Sequence, residues 1–135
     1  SCVEAIIAAQ IGDMDKAFRY GMAALLMDLA DVGGNVKDGC HIASMGGTWM
    51  MLTYGFGGMR DNDGTLSFWP RRAPEENAEL RFPLTYRGQL LEIEIGLDKV
   101  EYALREGERL VIRHETEQIL LTRENPRVVR PVSRR

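Results

Sequence analysis

Lys37-Asp38-Gly39-Cys40-His41-Ile42-Ala43-Ser44-Met45-Gly46-Gly47-Thr48-Trp49 brings a histidine, a serine hydroxyl and two glycines together ahead of an apolar helical run. A second glycine-rich stretch, Gly55-Phe56-Gly57-Gly58-Met59-Arg60, follows closely. Backbone N–H groups opened by glycine, together with a helix N-terminus, form a site for phosphate or another anion. Imidazole, hydroxyl and glycine N–H are all hydrogen-bond donors, as phosphate oxygens require. The same residues also fit a plainer role, with Ser44 capping a helix and the glycines admitting a neighbouring helix. The residue types leave both readings open.

Other chemistry-bearing side chains are less pointed. His114 ends an alternating strand beside Glu115-Thr116-Glu117 and reads as a rim residue. Asp31 and Asp38 could serve as acids, but no second carboxylate stands at a defined spacing from either. Glu92 and Glu94 fall on the outward side of a strand and read as solvated. Phe68, Trp69 and Tyr86 suit either a sugar face or core packing. Cys2 and Cys40 match no metal spacing and no disulfide framework, which indicates reduced thiols. No phosphate-binding P-loop, dinucleotide fingerprint, zinc spacing or nucleophile elbow is present.

These residues must be positioned by a short chain. Its 135 residues, 44% hydrophobic and 27% charged, suit one domain or two small pieces. A net charge of −3 argues against nucleic acid as a bulk partner. No apolar run approaches the ~20 residues that span a bilayer. Residues 45–59 are apolar but carry five glycines, which suits burial inside protein. Ser1 to Ala9 already reads as helix, with no capping signal ahead of it, so the chain is expected to be a fragment or one chain of a processed protein. Asp13 is a plausible N-cap for a second helix, with Asp15 in its first turn. Met14, Phe18, Met22, Leu25, Leu26 and Leu29 recur at helical spacing along it, and Ala17, Gly21 and Ala24 form a small-residue flank. Gly33-Gly34-Asn35 is expected to end it. A third helix, from about Ser44 to about Tyr54, is apolar on nearly all sides, so the helical part expects covering partners.

After Arg60 the period becomes two. Asp61-Asn62-Asp63-Gly64 signals a hairpin turn before a strand at Thr65 to Trp69, and Pro70 to Asn77 is expected to be loop. Leu80-Phe82-Leu84-Tyr86, Leu91-Ile93-Ile95, Val100-Tyr102-Leu104, Leu110-Ile112-His114 and Ile119 to Thr122 follow as strands, parted by Arg87-Gly88, Gly96-Leu97-Asp98 and Glu106-Gly107-Glu108. Such a run predicts an antiparallel sandwich or barrel. Arg127, Arg130, Arg134 and Arg135, with Pro126 and Pro131 among them, read as an extended, solvated basic tail. The expected organisation is helical residues 1–59, a β domain at 60–125 and a tail at 126–135.

Asp38 to Trp49 and Gly55 to Arg60, followed by Asp63-Gly64-Thr65-Leu66-Ser67-Phe68-Trp69-Pro70-Arg71 and Leu80-Arg81-Phe82-Pro83-Leu84-Thr85-Tyr86-Arg87-Gly88, resemble glycoside hydrolase family 65. That family includes maltose, trehalose, kojibiose and nigerose phosphorylases and a few hydrolases. The resemblance covers roughly residues 3 to 95. It implies an α + β chain: the final helices of an (α/α)6 barrel, then a small antiparallel, jelly-roll-like β-sandwich. The loop Arg71 to Asn77 departs from the Leu-Pro and Trp expected there.

The resemblance also implies inverting chemistry, in which a glutamic acid protonates the glycosidic oxygen while phosphate attacks from the opposite face. It assigns His41 and Ser44 as side-chain phosphate donors, and Gly46 and Gly47 as backbone donors. Inorganic phosphate is then a co-substrate, with no metal or organic cofactor implied. The implied product is β-glucose 1-phosphate from an α-linked glucosyl disaccharide, in the cytoplasm. The general acid and most of the sugar pocket lie upstream in such enzymes, so this chain alone is expected to be silent without the rest of the barrel. Neither nucleic acid nor membrane is an expected partner, and a homodimer is compatible with the pattern. Two alternatives stand beside this reading: hydrolysis of the same linkages, and a non-catalytic β module for stability or oligomerisation. Residues 41–47 offer no carboxylate to act as a hydrolytic base, which favours phosphorolysis.

Overall fold

The computed structural model describes residues 1–31, 33–34, 36–72 and 78–133. It divides into a helical unit, Ser1–Phe56, and a β unit, Gly57–Arg135. In the helical unit α1 spans Cys2–Ile11, α2 Met14–Leu25 and α3 Ile42–Met50, which continues as a π-helical stretch at Met51–Phe56. Ser1 does cap α1, contrary to the sequence expectation. Its hydroxyl accepts from the Glu4 N–H and Glu4 reaches back, an S-x-x-E box in which a lone Ser at the start of the run was the signal. Gly12 closes α1 in the left-handed region, at φ 88°. Asp13 caps α2 by accepting from the Lys16 N–H at 3.1 Å.

The small-residue flank carries the packing. Ala17, Gly21 and Ala24 are buried, as are Ala5, Ala8 and Ala9 of α1. Without long side chains between them helix backbones approach closely, and at Gly21 an added Cβ would stand 2.2 Å from Met51 Sδ. The large stripe of α2 is less covered, and Leu25 and Leu29 are exposed, as are Val3, Ile7, Ile42, Met45 and Trp49. Helix α2 also stops at Leu25, earlier than the glycine pair suggested, and residues 26–29 continue as turns. Gly34 takes a positive φ, and Asn35 lies outside the described residues.

In the β unit, β1 is Ser67–Phe68, β2 Leu80–Tyr86, β3 Gln89–Ile95, β4 Lys99–Glu106, β5 Arg109–His114, β6 Glu117–Thr122 and β7 Arg127–Pro131. The sheets are β1-β5-β6 and β2-β3-β4-β7. Alternation puts Phe82, Leu91, Ile93, Val100 and Tyr102 inward from one sheet and Phe68, Leu110, Ile112, Ile119 and Leu121 inward from the other, a small β-sandwich. Among the described residues, the strand pairings are antiparallel except that of β1 with β5, which is parallel. Arg87 and Gly88, at φ 49° and 74°, make the tight β2–β3 turn that their sequence signalled. The Asp61–Gly64 turn is likewise present, with Arg60 bridging to Ser67. Glu92, expected to be solvated, accepts from both Arg81 and Arg105 on the neighbouring strands.

The basic tail needs correction. Residues 127–131 pair with Ala103 to Lys99 as an edge strand of the four-stranded sheet, and the Leu104 N–H donates to the Pro126 carbonyl at 2.8 Å. Charged residues and flanking prolines are what an edge strand tolerates, so the composition resembled a tail. Arg134, Arg135 and the loop residues 73–77 lie outside the described residues.

Candidate functional site

His41 occupies the N-cap of α3 at φ −85° and ψ 75°, with no side-chain cap bond to the helix. Its carbonyl accepts from the N–H groups of Ser44 at 2.9 Å and Met45 at 3.2 Å, which starts the helix. Gly39 precedes it at φ 110°, a conformation that favours glycine, and swings the chain from the short 3-10 turn Val36–Asp38 into α3. Lys37 lies exposed in that turn.

The ring of His41 meets a residue the sequence reading passed over. Nδ1 lies 2.5 Å from Asp28 Oδ1, and the His41 backbone N–H donates to Asp28 Oδ2 at 2.9 Å. These bonds hold the Asp28 carboxyl below the usual carboxylate range, the ring bond contributing most and the backbone bond next. Cys40 Sγ points to the same carboxylate at 3.6 Å, and burial with that contact pushes its thiol up, away from thiolate. Asp28 interrupts the apolar run Leu25-Leu26-Met27-Asp28-Leu29, the one sequence signal that could have drawn notice to it.

Ser44 lies one turn into α3, and its hydroxyl donates to the Ala24 carbonyl at 3.3 Å, joining α3 to the end of α2. Gly46 and Gly47 are the fifth and sixth residues of α3. Their N–H groups lie beyond the first turn, where the helix supplies its own acceptors. Gly47 serves close packing, because an added Cβ would stand 2.6 Å from Cys2 Sγ, whereas one at Gly46 would meet nothing within 4 Å. Thus His41, Ser44 and Asp28 gather where α2 ends and α3 begins, and the glycines sit further along the helix.

His114 differs from the sequence expectation. It is buried, with Nδ1 2.8 Å from the Tyr102 hydroxyl, and Phe68 packs on Tyr102 with ring centroids 5.3 Å apart. Burial lowers its pKa and raises that of Tyr102. Among the described residues no group of three or more His, Cys, Asp or Glu side chains could hold a metal ion. No helix among them is long and apolar enough to cross a membrane.

Residues 1–50 match the central catalytic domain of glycosyl hydrolase family 65, and residues 59–121 match that family's C-terminal domain. The chain belongs to glycosyl hydrolase family 65. An uncharacterised glycosyl hydrolase of Mycobacterium leprae is 38% identical over 131 residues, 96% of this chain and 16% of that protein. An alpha,alpha-trehalose phosphorylase of Thermoanaerobacter brockii is 44% identical over 116 residues, 86% of this chain and 15% of the relative. Among solved structures, a human-microbiome protein assigned as a kojibiose phosphorylase superposes with a TM-score of 0.87 at 25% identity, over 96% of this chain and 18% of that one. The family-65 chain therefore spans about a sixth of the length of the curated relatives it matches.

Proposed function

We propose that this chain is the C-terminal portion of an inverting glycoside phosphorylase. In this reading the enzyme transfers a glucosyl unit from an α-linked disaccharide to inorganic phosphate and releases β-glucose 1-phosphate. The observation that carries it is the placement of His41 at the start of α3, with Ser44 one turn behind it. A helix N-terminus favours an anion, and an imidazole N–H and a hydroxyl add two further donors there. The phosphorylase names among the relatives support the same reading.

In the proposed reaction an upstream glutamic acid protonates the leaving oxygen, and phosphate attacks the anomeric carbon from the opposite face with inversion. His41 and Ser44 would hold the phosphate, the Ser44 hydroxyl turning from the Ala24 carbonyl to do so. Gly46 would contribute open space beside α3, and Gly47 the close approach of α1. The helical unit would complete an (α/α)6 barrel with upstream residues, which would cover Leu29, Ile42, Met45 and Trp49. The 135-residue chain alone would then be silent, and the full enzyme would work in the cytoplasm with no cofactor beyond phosphate.

Hydrolysis gains one observation, the Asp28 carboxylate beside His41. Both of its oxygens already accept from His41, which leaves it poorly placed to take a proton from water. The deciding experiment uses the full-length enzyme on a panel of α-linked glucosyl disaccharides. Release of glucose 1-phosphate that requires phosphate is expected, and equal turnover without phosphate would overturn the proposal in favour of hydrolysis.

A further inference from the structure

We propose that Asp28 is a positioning residue for phosphate binding, its carboxylate holding the His41 ring by Nδ1 so that Nε2 is the nitrogen that donates to phosphate. This rests on the phosphorylase reading, and names a residue that reading did not contain. The support is geometric. One carboxylate takes two N–H groups of the same residue, the ring Nδ1 at 2.5 Å and the backbone N–H at 2.9 Å. That two-point grip fixes the backbone that begins α3 and the ring that stands on it. Asp28 is itself restrained, its side chain only 17% exposed against 30% for His41. Before phosphate binds, the Ser44 bond to Ala24 ties the same two helix ends together.

The chemistry follows from the two ring nitrogens. A neutral imidazole with its proton on Nδ1 would present only a lone pair at Nε2, which has no proton to give to an unprotonated phosphate oxygen. In the imidazolium form both nitrogens donate, one to Asp28 and the other to phosphate, each in a charge-assisted bond. The carboxylate also offsets the unfavourable meeting of a cation with a helix N-terminus. Supporting carboxylates of this kind orient histidine in metal and catalytic sites by the same means.

The test varies phosphate at saturating disaccharide in the full-length enzyme. Asp28→Asn is expected to raise the phosphate KM by about tenfold, the loss of one charge-assisted hydrogen bond, with kcat within about twofold. Asp28→Glu should recover part of that loss. Asp28→Asn added to His41→Ala should worsen the phosphate KM no further than His41→Ala alone, because both act through one ring. A normal phosphate KM in Asp28→Asn beside a raised one in His41→Ala would overturn the role of Asp28 and leave the phosphate reading standing. A normal phosphate KM in His41→Ala would remove both. A measurement independent of how the Asp28 variants fold is nitrogen NMR of the phosphate-bound enzyme labelled in histidine, with His41 assigned through His41→Ala. Protons on both ring nitrogens are expected, and a bare Nδ1 would overturn the proposal.

Discussion

The hydroxyl of Tyr102 in β4 stands 2.8 Å from Nδ1 of His114 in β5, a buried polar contact between the two sheets of the sandwich. Burial disfavours the charged ring, and a neutral ring with Nδ1 unprotonated accepts the Tyr102 hydroxyl proton there. Tyr102→Phe keeps the ring packed against Phe68 and leaves Nδ1 buried without its donor. It should cost about 1–3 kcal/mol, read as a lower urea midpoint for the β domain at unchanged slope.

The same burial makes a pH prediction. Burial lowers the pKa of His114 in the fold, against the opposing pull of Glu115, the Pro131 carbonyl and Glu117, while Arg130 lowers it further. The unfolded chain therefore takes up a proton before the fold does. Its contribution is fully present above the ordinary value of 6.5 and is lost as pH falls below that, until the folded value is reached. Stability of the β domain measured from pH 8 to pH 5 should decline over the lower part of that range. His114→Gln should flatten the decline, and an unchanged slope in that variant would show that other groups cause it.

Gly58 allows a closer approach than any side chain could. Its φ is +60°, and a Cβ there would stand 2.1 Å from the Trp69 carbonyl oxygen, an atom fixed by the Trp69 N–H bond to the Gly58 carbonyl. Backbone cannot swing aside as a flexible side chain does. Gly58→Ala should lower the thermal midpoint of the β domain by an amount equivalent to roughly 3 kcal/mol or more.

Gly46 and Gly47 should part company. Gly47→Ala places a methyl group 2.6 Å from Cys2 Sγ and should destabilise the helical unit by about 1–3 kcal/mol, with partial recovery in Cys2→Ala. Gly46→Ala meets nothing within 4 Å and should stabilise by about 0.5–1 kcal/mol, since alanine has less backbone freedom to lose within a helix. Calorimetry of the two variants side by side checks the pair. Equal effects would show that the glycines are interchangeable.

Much of this was legible where local chemistry and packing agree. The strict alternation of β2 to β6 and the Arg87-Gly88 turn foretold a sandwich, and Ala17, Gly21 and Ala24 foretold a close helix contact. His114 shares the inward parity of Leu110 and Ile112, yet the acidic residues after it suggested a rim. Partners separated by long loops were not legible. Asp28 meets His41 only because the chain reverses between them, and no spacing rule records that reversal. The edge strand was hidden for the opposite reason, because what protects an edge from aggregation is what makes a segment look unstructured.

The strand order β2-β3-β4-β7 has a consequence for how the domain is born. Synthesis delivers β4 well before residues 127–131, and in the interval the sequence of β5 and β6 builds the opposite sheet. Until those residues pair, the edge of β4 that faces β7 would be an open template of unpaired amides, able to recruit an extended segment nearby. Pairing with the arginine-bearing residues 127–131 is what closes that template.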